Sequence, residues 1–171
     1  MIYIIQQIWW LKMNKNIDLK INDTDMVLDV GGGAQPLNRA DYVLDIMSYE
    51  NRAKFGCIGT QKENFSKDTW IVRDICNKKC WPFKDKEFDF VLCSQVLEDI
   101  RDPIWVCQEI VRVGKMGYVE VPSISKELSR PESYFYRGYC HHRWLITLEE
   151  KKLVFFPKFS ALFNLPEFQF F

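Results

Sequence analysis

The chain has 171 residues, 47% of them apolar, 27% charged and 15% aromatic, and its 23 basic residues balance 23 acidic ones. This is the composition of a globular domain with a real core, and it excludes a disordered chain. Zero net charge removes the broad positive field that a non-specific nucleic-acid binder needs, so no nucleic acid is expected as a partner. No run approaches the ~18 consecutive apolar residues of a membrane span.

Residues 1–11 are apolar but are interrupted by Gln6-Gln7. No basic residue precedes the apolar part and no small-residue cleavage site follows it, so the segment makes a poor signal peptide. Residues 1–12 read as a packing arm or an upstream start, and residues 1–25 as an arm leading into the fold. The six cysteines, at 57, 76, 80, 93, 107 and 140, are then expected as reduced thiols in a cytosol, which implies a cytoplasmic location. The spacing of Cys76 and Cys80 is not the paired C-x-x-C of a zinc site, and no metal is expected.

The next stretch carries the most information. Met26-Val27-Leu28 is an apolar run ending in Asp29, and Gly31, Gly32 and Gly33 follow. A second run, Tyr42-Val43-Leu44, ends in Asp45. Strand, glycine turn, strand, acid is how an open parallel sheet builds a nucleoside site at the carboxyl ends of its strands. The glycines allow positive φ and let a ligand lie against bare backbone. Asp45 can accept hydrogen bonds from both hydroxyls of a ribose.

Two other nucleotide sites are disfavoured. A dinucleotide fingerprint needs a third glycine where Pro36 stands, which counts against a nicotinamide-dependent oxidoreductase. No G-K-[S/T] tripeptide occurs, so there is no phosphate-cradling loop of that kind. About eleven residues, Pro36 among them, separate the two strands, so the helix between them is limited to a turn or two.

Residues 47–69 show no steady period and read as an irregular cover with at most one short helix. Residues 70–74 form a third strand ending in Asp74, and Trp81-Pro82-Phe83 makes a turn. Phe88 to Ser94 is the fourth strand. Asp102 then caps a helix with Pro103 at its first position. Ile104, Val106, Cys107, Ile110, Val111 and Val113 give that helix its apolar face, and Gly114 ends it. Residues 117–121 are a fifth strand, and residues 123–137 a polar and aromatic loop. Residues 144–148 and 153–156 flank a charged turn and form a hairpin. A Phe-rich tail occupies residues 159–171.

Six short motifs occur in order: Gly31–Pro36, Trp81–Phe83, Phe88–Val91, Asp102-Pro103, Gly117–Ser123 and His142–Trp144. In that order and spacing the chain resembles class I S-adenosylmethionine-dependent methyltransferases over residues 26–158. It is most similar to small bacterial ones found among sugar and cell-surface glycan genes, which carry G-G-G-x-x-P, L-P-F, F-D-x-V, D-P, G-Y-x-E-V-P-S and H-R-W. The resemblance implies a Rossmann-like α/β fold with a mostly parallel sheet, a reduced first helix and a C-terminal antiparallel hairpin. It also implies S-adenosylmethionine as cofactor and methyl transfer to a small-molecule or sugar acceptor, at oxygen.

The resemblance assigns cofactor-binding roles. Gly31 and Gly33 form the turn, and Asp29 lies under the methionine end. Asp45 holds the ribose, Asp74 accepts from the adenine amino group, and Ile75 sits beside the ring. Ser94 and Gln95 face the methionine moiety. Plainer readings stay open: Asp29 fixing the turn backbone, Asp45 capping a strand end, and Asp74 pairing with Arg73 or a nearby lysine.

Relatives often read H-x-L-E-H after the fourth strand, where this chain has Gln95-Val96-Leu97-Glu98-Asp99. His141 and His142 are the two histidines left. A hydroxyl acceptor benefits from a base that titrates near neutral pH, so His142 is the candidate catalytic residue; orienting the loop or packing against Trp144 is its other reading. The lost histidines keep a second class of function open, a non-catalytic or truncated fold member that binds cofactor or serves as a partner subunit. The acceptor is expected over residues 123–142, where Tyr134, Phe135, Tyr136 and Tyr139 stand near Arg130 and Arg137.

Overall fold

The computed structural model describes residues 2–7, 19, 21–33, 35–55, 62–129, 131–133 and 136–159. Cys57, Arg130, Tyr134, Phe135 and residues 160–171 of the expected tail lie outside the described residues. The chain divides into two compact units. One comprises residues 1–3, 17–94 and 102–119, the other residues 4–16, 95–101 and 120–171.

The main sheet is built from β1 (Ile2–Gln7), β2 (Val27–Val30), β3 (Tyr42–Asp45), β4 (Trp70–Val72), β5 (Phe88–Ser94) and β6 (Gly114–Pro122), in the order β1-β6-β5-β2-β3-β4. β2 pairs in parallel with both β3 and β5, and β3 with β4. Val27, Leu28, Val30, Val43, Leu44, Phe88, Val91 and Cys93 are fully buried. Near-continuous apolar strands of this kind are what a parallel sheet covered on both faces requires. The order reverses at β2, whose neighbours β3 and β5 lead outward in opposite directions, and such a switch point opens a crevice at the strand carboxyl ends.

Between β2 and β3 the described residues contain turns and no helix, so the reduction goes further than a turn or two. The cause is local. Pro36 is buried, the Leu37 amide is captured by the Asp29 carboxylate at 2.7 Å, and the Ala40 amide closes a turn on the Leu37 carbonyl at 2.9 Å. Arg39 then fastens the link by donating to the carbonyls of Asn22, Asp23 and Asp25.

The stretch after β3 holds two 3₁₀ turns, Tyr49–Phe55 and Lys67–Thr69. Arg52, 4% exposed, locks it to the sheet. Its guanidinium makes a bidentate pair with Glu63 at 2.9 and 3.2 Å and lies 4.3, 5.0 and 5.2 Å from the ring centres of Tyr49, Phe65 and Trp70. A planar cation can serve both kinds of partner at once.

Helix α1 (Pro103–Val113) starts as its sequence predicts, with the Asp102 side chain accepting from the Trp105 amide at 3.0 Å and Pro103 at the first helical position. Its Glu109 carboxylate accepts from the Trp81 amide at 2.6 Å. β6 begins at Gly114, earlier than the expected residue 117. Gly114 and Gly117 allow this, because a Cβ at either would come within 2.7 Å of Val91.

In the second unit, residues 123–137 are not the expected uninterrupted loop. They contain α2 (Ile124–Ser129) and a short antiparallel pair, β7 (Pro131–Ser133) with β8 (Tyr136–Arg137). The hairpin is present as β9 (Trp144–Glu149) with β10 (Lys152–Pro157), a separate two-stranded sheet. Its turn residues Glu150 and Lys151 have φ of 47° and 65°. Two successive left-handed residues match the twist of paired strands, though Asn-Gly is the commoner solution.

Candidate functional site

The glycine turn after β2 is held by carboxylates on both sides. Gly31 and Gly33 have φ of 73° and 55°, a region glycine enters without penalty. The Gly31 amide donates to the Leu44 carbonyl at 2.9 Å, which ties the turn to β3. Asp45, 6% exposed, accepts from the Gly33 amide at 2.8 Å through one oxygen and from the Met47 amide at 2.6 Å through the other. Asp29, 3% exposed, accepts from Leu37. A Cβ on Gly32 would meet the Asp29 carboxylate at 3.0 Å and Pro36 Cβ at 2.7 Å, so the turn tolerates no side chain there. On Gly33 a Cβ would meet, among the described residues, only the Gly31 carbonyl at 3.9 Å, which leaves room for a ligand beside that backbone.

These contacts bring Asp29, Gly31, Gly33 and Asp45 into one constellation. Burial pushes the Asp29 carboxyl up to about 7; the Leu37 amide pulls against it, and the charge on Asp45 adds to it. β4 is joined to this group by the Arg73 amide, which donates to the Asp45 carbonyl at 2.7 Å. Asp74 follows, half-buried, its side chain accepting from the Cys76 amide at 2.9 Å. Ile75 is buried, and its carbonyl accepts from the Trp81 indole at 3.1 Å. Trp81, 2% exposed, is therefore the brace of the Asp74–Ile75 loop, which gives the Trp81-Pro82-Phe83 motif a physical role.

Ser94 closes β5, two residues past Leu92, the partner of Asp29 in the sheet. Gln95 belongs to the other unit and stands at φ 56° with its amide on the Glu120 carbonyl at 2.9 Å. A left-handed non-glycine residue at a strand end is the kind of strain that collects at functional turns.

His142 lies in the second unit and is 5% exposed. Its Nδ1 is 2.7 Å from Glu127 Oε1, and its ring is tilted on that of Tyr139 with centroids 4.7 Å apart. The other Glu127 oxygen accepts from Lys158 Nζ at 2.7 Å, and Lys158 also donates to the Tyr139 carbonyl at 2.7 Å. Burial alone would raise the Glu127 carboxyl, but the hydrogen bonds and charges of His142 and Lys158 outweigh it and hold the group below its usual range. Glu127 is thus an anion, and Nδ1 carries the proton it accepts. Asp99 faces the same ring. Sequence reasoning did not connect Glu127, Lys158 and Asp99 with His142, because no short motif joins them.

An open, mostly parallel sheet that reverses at β2, with carboxylates at the ends of β2 and β3 and a bare glycine turn between them, defines a Rossmann-like fold of the class I methyltransferase type. A family profile described as "Methyltransferase domain" matches residues 28–119, more than half of the sequence, and the chain belongs to that family. Its cofactor is S-adenosylmethionine, and the chemistry of the turn fits that group: two carboxylates that can accept hydrogen bonds and a half-buried glycine backbone between them.

Among solved structures, the chain is similar to an S-adenosylmethionine-dependent methyltransferase from Mesorhizobium loti, at 17% identity and TM-score 0.43, over 81% of this chain and 59% of that one. A SAM-dependent methyltransferase from Aquifex aeolicus matches at 20% identity and TM-score 0.35, over 53% and 51%. The plantazolicin methyltransferase BpumL, in complex with a monoazolic desmethylPZN analog and SAH, matches at 20% identity and TM-score 0.41, over 64% and 45%. The chain spans about half the length of the solved structures it matches. No curated protein matches it. No described helix is long and apolar enough to cross a membrane.

Proposed function

We propose that this chain transfers the methyl group of S-adenosylmethionine to a small-molecule or sugar acceptor, at oxygen, in the cytoplasm. The observation that supports it most is the constellation of Asp29, Gly31, Gly33 and Asp45 inside the matched family region. In this reading Asp45 accepts from the ribose hydroxyls with the lone pairs that the Gly33 and Met47 amides leave over. Asp74 accepts from the adenine amino group, and Ile75 lies along the ring. Asp29, Ser94 and Gln95 border the methionine end. The cofactor supplies the activated methyl, and the protein supplies orientation and exclusion of water.

His142 is proposed as the base for the acceptor hydroxyl. Glu127 supports this, since a carboxylate on Nδ1–H fixes the tautomer and leaves the Nε2 lone pair to take a proton. The acceptor is assigned to residues 123–142. Calorimetry with S-adenosylmethionine, S-adenosylhomocysteine and NAD side by side tests the cofactor assignment, and NAD binding alone would overturn it. A turnover assay on a panel of hydroxylated sugars tests the acceptor. His142→Ala should lower turnover by ~10²–10⁴-fold, the usual contribution of a positioned base, while S-adenosylhomocysteine affinity stays within a few-fold.

The second reading is a non-catalytic or truncated fold member that binds cofactor or partners another subunit. It is favoured by Gln95 and Asp99, which stand where relatives often have histidines. Cofactor binding without turnover on any acceptor would select it.

A further inference from the structure

Asp99, His141 and His142 bring three potential donor atoms together. Asp99 Oδ1 is buried and has no hydrogen-bond partner among the described residues. It lies 3.7 Å from His142 Nε2 and 3.9 Å from His141 Nε2, too far for hydrogen bonds. Each donor of the set lies within 4.8 Å of the others. A divalent ion with bonds of 2.0–2.2 Å to nitrogen and oxygen holds tetrahedral ligands about 3.4 Å apart. The two separations from Asp99 Oδ1 exceed that loaded spacing by about 0.3 to 0.5 Å, and the two histidines lie within 4.8 Å of each other, so small side-chain rotations bring the three donors to an ion.

The surroundings are those of a metal ligand as well. Glu127 accepts from His142 Nδ1, the outer carboxylate–histidine contact that orients an imidazole and raises its basicity toward a metal. Glu127 is fixed in turn by Lys158. The side chains of His141 and Asp99 are 56% and 40% accessible, so the cluster lies near the surface although Asp99 Oδ1 itself is buried. Two imidazoles and one carboxylate suit Zn²⁺ or another first-row divalent ion and do not suit Mg²⁺ or Ca²⁺, which take oxygen.

We propose that Asp99 Oδ1, His141 Nε2 and His142 Nε2 bind one divalent transition-metal ion, with at least one position left to solvent. No cysteine takes part, so the unfavourable cysteine spacing noted in the sequence does not bear on this site. The proposal does not depend on methyl transfer. With an ion bound, His142 would serve as a ligand in place of a base, and the ion would supply Lewis acidity that lets an acceptor hydroxyl lose its proton to solvent water.

The test uses the full chain, stripped of metal, in a Cys57→Ser/Cys80→Ser/Cys140→Ser background, which removes the two exposed thiols among the described residues and Cys57, which lies outside them. Titration with Zn²⁺ should give one site per chain. His141→Ala and Asp99→Asn, both at partly exposed positions, should each weaken it by tenfold or more while the circular dichroism stays unchanged. Co²⁺ should give ligand-field bands without a thiolate charge-transfer band. No saturable Zn²⁺ uptake, as expected if a water fills the gap, overturns the proposal. So does a thiolate band, or Zn²⁺ affinity that both variants leave unchanged.

Discussion

Asp45 and Glu127 are both buried carboxylates with both oxygens occupied, and they are held by opposite means. Asp45 takes two backbone amides, Gly33 twelve residues before it and Met47 two residues after it. Glu127 takes chiefly two side chains, His142 fifteen residues on and Lys158 thirty-one residues on, each at 2.7 Å, with the Tyr139 amide a distant third donor at 3.5 Å. Backbone donors belong to the turn itself and survive any substitution at their positions except proline. Side-chain donors are deletable, and each deletion strands a charge in a dry place. The first device follows from chain geometry over a few residues. The second exists only once distant segments have met.

The largest effect should come from cutting the second device. Glu127→Gln leaves the Lys158 ammonium, with a side chain 1% exposed, facing an uncharged amide. Removing one partner of a buried pair costs about 3–5 kcal/mol. Denaturant unfolding should show that loss, and Glu127→Gln/Lys158→Met should recover a good part of it. If the double variant is no better than the single one, the cost lies in the contact with His142 and not in the stranded ammonium.

The same contrast explains what the sequence could be made to say. Asp29, the glycines and Asp45 are readable because each bond in that turn closes over a short loop, so residue type and spacing carry the geometry. The Asp102–Pro103 start of α1 is readable for the same reason. The reduction of the first helix is only half legible: Pro36 announces a short link, but the capture of Leu37 by Asp29 is a contact across the turn that no period encodes. The 47–69 stretch looks featureless because Arg52, Glu63 and three rings converge on one point from unpatterned positions. α2 and the β7–β8 pair escape notice because residues 123–137 mix polar and aromatic residues without either period. Glu127, Lys158 and Asp99 are illegible singly, since a lone charged residue in a sequence gives no sign of burial.

The turn after β2 has its own titration. The Asp29 carboxyl, at 3.8 when unfolded, is raised to about 7 chiefly by burial. A carboxyl raised in the folded state binds its proton better there, so its contribution is fully present below 3.8 and is lost as pH climbs through about 7. Asp29→Asn keeps an oxygen for the Leu37 amide and removes the titration. The unfolding free energy of the variant should gain on that of the wild type across this window, by about 1.4 kcal/mol for each pH step of one between the two values. A difference independent of pH would show that Asp29 ionises normally in its turn.

Asp45 should matter to the cofactor more than to the fold. Hydrogen bonds to a charged group contribute about 1.5–3 kcal/mol each, so Asp45→Ala should weaken S-adenosylhomocysteine by tenfold or more. The Gly33 and Met47 amides lose their acceptor in this variant, which makes the unfolding curve the necessary companion measurement. Unchanged affinity in a folded variant would leave Asp45 as a brace for the turn alone.

The smallest effect should come from a carboxylate that uses both devices. Asp102 accepts from the Trp105 amide through one oxygen and meets the Lys78 ammonium through the other, with its side chain 28% and that of Lys78 67% exposed. The amide bond is a helix cap, whose loss usually costs about 0.5–2 kcal/mol. The ion pair stands in water, where such pairs contribute about 0–1 kcal/mol. Asp102→Ala should therefore cost about 1 kcal/mol, while Asp102→Asn, which keeps the cap and removes the charge, should cost a few tenths. Lys78→Ala should match the Asn variant, and added salt should shrink the effect of both. If Lys78→Ala instead costs as much as Asp102→Ala, the exposed side-chain contact outweighs the backbone one, and the rule separating Asp45 from Glu127 fails at the surface.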